Sequence, residues 1–154
     1  MSHRKRVIIE SPYAGDILRN IAYAIECVRD CIERGEAPIA SHLIYTFILD
    51  DIKKEEREAG IEVGFAWREP AELSAVYKDF GISYGMEYGI ADANGKGHPV
   101  EHRILFKDEA ERENFERRIP QLIAIALTKF LKLRPRENPM PFLAILNELL
   151  ELRD

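Results

Sequence analysis

The chain has 154 residues, 46% hydrophobic and 32% charged, with a net charge of −5. That length supports one domain with a sizeable core and leaves little for a second. The acidic balance excludes a general nucleic-acid binder, which carries basic excess, and no apolar run nears the roughly 18 residues that span a bilayer.

Only His3-Arg4-Lys5-Arg6 is locally basic, and it reads as a solvated lead-in to a strand. The first apolar segment, Val7-Ile8-Ile9, is too short for a signal peptide, so a cytoplasmic protein is expected. Residues 6–11, RVIIES, predict a buried strand: a β-branched run that stops where Pro12 blocks simple continuation. An amphipathic helix follows. Ile17, Ile21, Ala24, Val28 and Cys31 recur at helical spacing, and Gly35 ends it. Cys27 and Cys31, one turn apart with Ile25, Val28 and Ile32 around them, read as buried thiols in a reducing compartment.

A second strand is expected at 37–41, then an apolar connection. Asp50 or Asp51 is expected to cap a helix whose early turns hold Glu55, Glu56 and Glu58 and which runs towards Trp67. SAVYKDF, residues 74–80, predicts the third strand; a glycine-containing turn and a helix through Glu87 come next. Asn94-Gly95-Lys96-Gly97 is a stop, and HPVEHRILF, residues 98–106, the fourth strand.

Strands alternating with helices imply βαβ units, a mostly parallel sheet of four or five strands and helices on both faces. The expected fold is thus α/β, a Rossmann-like (flavodoxin-like) three-layer sandwich. It forms a single domain over 1–154, with the core at 6–104 and a helical extension at 105–154. In that extension KDEAERENFERR reads as a charged helix, QLIAIALTKFLKL as an apolar one and FLAILNELLEL as a third, with RPRENPMP as the breaker between the last two. These helices suit either a cover for the sheet or a homodimer or higher homo-oligomer interface.

Ligands of open α/β sheets bind past the carboxyl ends of the strands. Those positions hold Ser11-Pro12-Tyr13-Ala14-Gly15-Asp16, Ser41-His42, Asp79 through Glu87, and Glu101-His102-Arg103. Glu87 falls about one turn into its helix, where the dipole favours a carboxylate; Gly85 and Gly89 flank it and admit a flat ligand. An ionised, rigidly held carboxylate suits attack on a sugar anomeric carbon. The plain alternative is a solvated helix face. No metal site is expected: His98 and His102 share a strand face, but Glu101 falls on the other. No P-loop and no full G-x-G-x-x-G are present, so no cofactor is expected.

The order of Ser11-Pro12-Tyr13-Ala14-Gly15-Asp16, then Gly85-Met86-Glu87-Tyr88-Gly89 and Gly95-Lys96-Gly97-His98-Pro99-Val100, resembles the nucleoside 2-deoxyribosyltransferase superfamily, which includes the 2′-deoxynucleoside 5′-phosphate N-hydrolases. The resemblance runs in order over about residues 6–103. It implies a nucleoside or nucleotide substrate, with Glu87 attacking C1′ and displacing the base, and water or a second base resolving the intermediate. It further implies Ser11, Tyr13 and Gly15 at the sugar and base pocket, and Asp79 orienting the sugar or serving as acid. Ser83 and the amides about Tyr84 and Gly85 would seat a 5′-phosphate, with Arg19 adding charge, and His42 would protonate or contact the base. Two other classes compete. One is a nucleotide-binding sensor without turnover; the other is an interaction protein acting through its C-terminal helices.

Overall fold

The structure, a computed structural model, describes residues 3–130. The chain divides after Leu105 into two units. The first unit contains strands β1 (Arg6–Glu10), β2 (Ala37–Ile39), β3 (Leu73–Tyr77) and β4 (Val100–Arg103), with helices α1 (Ile17–Glu33), α2 (Ser41–Tyr45), α3 (Lys54–Ala66) and α4 (Tyr84–Gly95) between them. The four strands form one parallel sheet in the order β2-β1-β3-β4. This is the α/β, Rossmann-like architecture that the alternating pattern predicts.

Register assigns the faces. Glu10 pairs with Val76, so Glu10 and Tyr77 point to opposite faces. Tyr77 reaches α1, donating to Asp30 at 2.5 Å, with Cys31 Sγ at 3.2 Å. Glu10 meets Gly89 of α4. Helices therefore cover both faces. The central strands supply the apolar floor, with Val7, Ile9, Ala75, Val76 and Tyr77 almost fully buried. On the α1 side Arg103 crosses to Glu36 (2.7 and 2.8 Å) and to Glu101 (2.9 Å).

Several expectations shift. In α1 the buried stripe is Asn20, Tyr23, Ala24, Cys27 and Cys31, while Ile32 lies open. Asn20 and Tyr23 displace apolar residues because their polar ends find partners. Both cysteines are free and buried, as expected. Strand two ends at Ile39, and the apolar connection contains the single turn α2. Neither Asp50 nor Asp51 caps α3, which starts after Lys53. Instead Asp50 accepts from the Ile52 amide at 3.1 Å and donates its own amide to Glu56 at 2.6 Å.

Strands three and four are shorter than expected, ending at Tyr77 and Arg103. Gly35 (φ +79°) closes α1 as anticipated. The Asn94–Gly97 stop closes α4 as a Schellman turn: Gly97 donates to Asn94 O, His98 donates to Ala93 O, and Gly97 has φ +64°.

In the second unit, α5 (Glu109–Phe130) is one continuous helix, where the sequence predicts a charged and an apolar helix. Pro120 does not end it, although the ring removes one amide donor and crowds the carbonyl of Glu116. Asp108 accepts the Glu111 amide at 2.9 Å, while Glu111 accepts the Lys107 amide at 2.9 Å. The RPRENPMP breaker and the third predicted helix lie outside the described residues. Among the described residues no helix is long and apolar enough to cross a membrane.

Candidate functional site

The chain runs one way from β1 to β2 and the other way through β3 to β4, so the loops after β1 and β3 flank a topological switch point. In such sheets this is where a crevice opens. The loop after β1 is held from below by Asn20, whose amide donates to the carbonyls of Tyr13 and Ala14, both at 2.9 Å. Gly15 takes φ +90°, a conformation side chains resist, and Asp16 then caps α1 by accepting the Arg19 amide at 3.2 Å.

Arg19 is anchored twice. Its Nε and Nη2 donate to Asn20 at 3.3 Å, and its guanidinium lies 4.5 Å over the ring of Phe80, from the loop after β3. Phe80 stands edge-on to Tyr23 at 4.9 Å. The two loops are thereby joined at the switch point. Asp79 completes the joint, since its carboxylate accepts from the Tyr23 hydroxyl and from the Leu105 amide at 3.0 Å. This carboxylate holds the frame.

Ser11, just past β1, and His42, in α2 after the adjacent β2, come together with Oγ and Nε2 2.8 Å apart. Burial pushes the imidazole down to about 4, so His42 is neutral at pH 7 and a poor proton donor there. Ser83 caps α4, its Oγ accepting the Met86 amide at 3.4 Å.

Helix α4 turns Met86, Gly89 and Ala93 inward. Glu87 is exposed in its first turn, and among the described residues its carboxylate makes no hydrogen bond or ion pair. Tyr84 and Tyr88 flank it, ring centroids 5.0 Å apart and hydroxyls 3.2 Å apart. At about 100° per residue, Glu87 and Gly89 lie about 200° apart around the helix. Gly85 and Gly89, one turn apart, share the side that faces β1. A Cβ on Gly89 would collide with the Glu10 carboxyl, whereas a Cβ on Gly85 meets nothing within 4 Å. Gly89 thus accommodates a side chain of this protein, and the open space lies at Gly85.

Glu10, the last residue of β1, is the functional candidate that sequence reasoning missed. Arg68, 3% exposed, donates Nη2 to Glu10 Oε1 at 2.7 Å and Nη1 to Asp92 of α4. Lys96 pairs with Asp92 at 2.9 Å. Burial raises the Glu10 carboxyl to about 7, against the pull of Arg68 and with a small push from Asp92. The one sequence signal was an acid closing the apolar run Val7-Ile8-Ile9. Its partner Arg68 follows 58 residues later in no recognisable pattern. A concavity of about 730 Å³, lined in part by Arg68 and Lys96 of this cluster with Phe65 and His98, opens before β4 rather than past a strand end.

The structure therefore gathers Ser11, Tyr13, Gly15, Arg19, Asp79, Ser83 and Gly85 on the two loops and helix starts at the switch point, with His42 behind Ser11. Glu87 lies on the outer side of the same helix.

A family described as a domain of unknown function (DUF7768) matches residues 5–103, more than half of the chain. The chain belongs to that family. No curated protein matches the chain, and no solved structure does. The DUF7768 stretch starts one residue before β1 and ends on Arg103, the last residue of β4. All four strands, both switch-point loops and the Glu10, Arg68 and Asp92 cluster fall within the DUF7768 region.

Proposed function

We propose that this chain cleaves, or transfers across, the N-glycosidic bond of a nucleoside or nucleoside 5′-monophosphate, with a glutamate carboxylate as nucleophile. The observation that carries this reading is the open space at Gly85, in the first turn of α4 at the switch point, with one glutamate on each side of that helix. The capped start of α4 offers amides to an anion such as a 5′-phosphate. Arg19 adds fixed positive charge at the same crevice.

The chemistry balances in two steps. A glutamate oxygen forms a bond to C1′ as the C1′–N bond breaks; the electron pair leaves on the base nitrogen, which gains a proton. Water, or the nitrogen of a second base, then attacks C1′ and loses its proton, and the ester C–O bond breaks to restore the carboxylate.

A panel of ribo- and deoxyribonucleosides and their 5′-monophosphates, with and without an acceptor base, tests this by chromatography of the products. Release of base, or exchange with the acceptor, from at least one substrate class is expected. A second reading, nucleotide binding without turnover, is favoured by one observation: Asp79 is engaged by Tyr23 and Leu105, and His42 is neutral, so neither is a ready acid. Tight binding with no release from any member of the panel would support it and sink the first.

A further inference from the structure

We propose that Glu10, rather than Glu87, is the nucleophilic carboxylate of the crevice. This rests on the N-glycosidic reading and assigns its central role to a different residue. Glu10 closes β1 at the switch point and points to the face where α4 lies. Its side chain is 16% exposed. Arg68 fixes Oε1 at 2.7 Å, and among the described residues Oε2 makes no hydrogen bond. One oxygen is therefore anchored by Arg68, and the other lies beside the α4 backbone at Gly89 without a hydrogen bond.

The glycines of α4 complete the argument. Gly89 lets the helix lie directly on the Glu10 carboxyl, and Gly85, one turn nearer the strand ends, leaves space on the same side of the helix. A sugar in that space sits one helical turn, roughly 5–6 Å, from the Gly89 position that the Glu10 carboxyl fills. Glu87, about 200° around the helix from Gly89, is directed away from it. Of the two glycines that flank Glu87 in sequence, Gly89 receives the Glu10 carboxyl and Gly85 lies beside open space.

Attack forms the Glu10 Oε2–C1′ bond and breaks C1′–N. The pair departs on the base, which takes its proton from solvent; water then reverses the ester. The role requires an ionised carboxylate. The charged groups that face Glu10 are Arg68, which follows α3, and Asp92 of α4, itself paired to Lys96. With the carboxyl raised to about 7 by burial, kcat/KM is expected to fall as pH drops below about 7.

The decisive experiment uses the unaltered full chain. A 2′-fluoro analogue of whichever substrate the panel identifies slows both steps and lets a glycosyl-enzyme accumulate. Trypsin then yields peptides 7–19 and 79–96, which carry Glu10 and Glu87 respectively as their sole glutamates. Sugar mass on 7–19 is expected. Sugar on 79–96, or on neither while turnover persists, overturns the assignment and leaves the N-glycosidic reading standing. No base release by the wild type removes both.

Kinetics of Glu10→Gln and Glu87→Gln supply the second arm. Glu10→Gln should lower kcat by about a thousandfold or more with substrate affinity retained, whereas Glu87→Gln should keep the low-pH limb. Loss of kcat in Glu87→Gln alone would return the role to Glu87.

Discussion

Two glycines four residues apart on one helix meet opposite surroundings, and that contrast is testable without any substrate. At Gly89 a methyl group has no space, because the Glu10 carboxyl lies against the backbone. Gly89→Ala must displace a side chain that Arg68 also holds, and the expected loss is about 1–3 kcal/mol of unfolding free energy in urea titrations. At Gly85 the same change meets open space. Gly85→Ala should leave stability within about 0.5 kcal/mol of wild type, or raise it slightly through helix propensity, while weakening any ligand that occupies that space. Equal destabilisation by the two substitutions would show that Glu10 does not pack on α4 as described. Asn20, Tyr23 and Arg68 are buried because each has a geometric task, supporting a loop, joining a loop and bridging two acids.

Between elements, Tyr23 and Asp79 tie α1 to the turn after β3 and, through the Leu105 amide, to the segment leaving β4. Tyr23→Phe keeps the ring against Phe80 and removes only the hydroxyl, with an expected cost of about 1–2 kcal/mol. Asp79→Ala also strips the Leu105 amide of its acceptor, so hydrogen exchange at Leu105 should accelerate by tenfold or more. Unchanged exchange there would mean that the carboxylate does not hold this junction.

How far the sequence reveals the elements follows from where the information lies. The alternation of β-branched runs with helical periodicity, and glycines forced to positive φ at Gly35 and Gly97, are local, and they correctly predict the parallel sheet and the helix ends. The continuity of α5 through Pro120 was not legible, because a proline reads as a break although its φ suits a helix. The tilt of the α1 stripe towards Asn20 and Tyr23 depends on partners in distant loops. The candidate residues at strand ends were legible through topology alone. The Glu10–Arg68–Asp92 bridge was not, since its members come from β1, the turn after α3 and α4.

At the scale of the whole molecule, the DUF7768 region is a sheet with two half-buried titratable groups near the end of β1, Glu10 and His42, and they act on stability in opposite senses. Glu10 is raised from its ordinary value of 4.5 to about 7, so the folded state holds a proton there that the unfolded chain gives up. Its contribution is full below about pH 4.5 and is lost as pH rises through about 7. His42 is lowered from 6.5 to about 4, so the unfolded chain takes up the extra proton. Its contribution is full above about pH 6.5 and is lost as pH falls through about 4. Between about pH 4.5 and 6.5 the two slopes oppose each other and are of similar size, so wild-type stability should vary little with pH from this pair. Removing either group exposes the other. Relative to wild type, Glu10→Gln should gain stability as pH rises from about 4.5 to 7 and then level off. His42→Asn should lose stability relative to wild type as pH rises from about 4 to 6.5. Each drift should reach a few kcal/mol, readable from urea titrations at five or six pH values. Parallel profiles for Glu10→Gln and wild type would mean that the Arg68 bridge keeps Glu10 ionised throughout. The acid limb expected in kcat/KM would then have to come from another group.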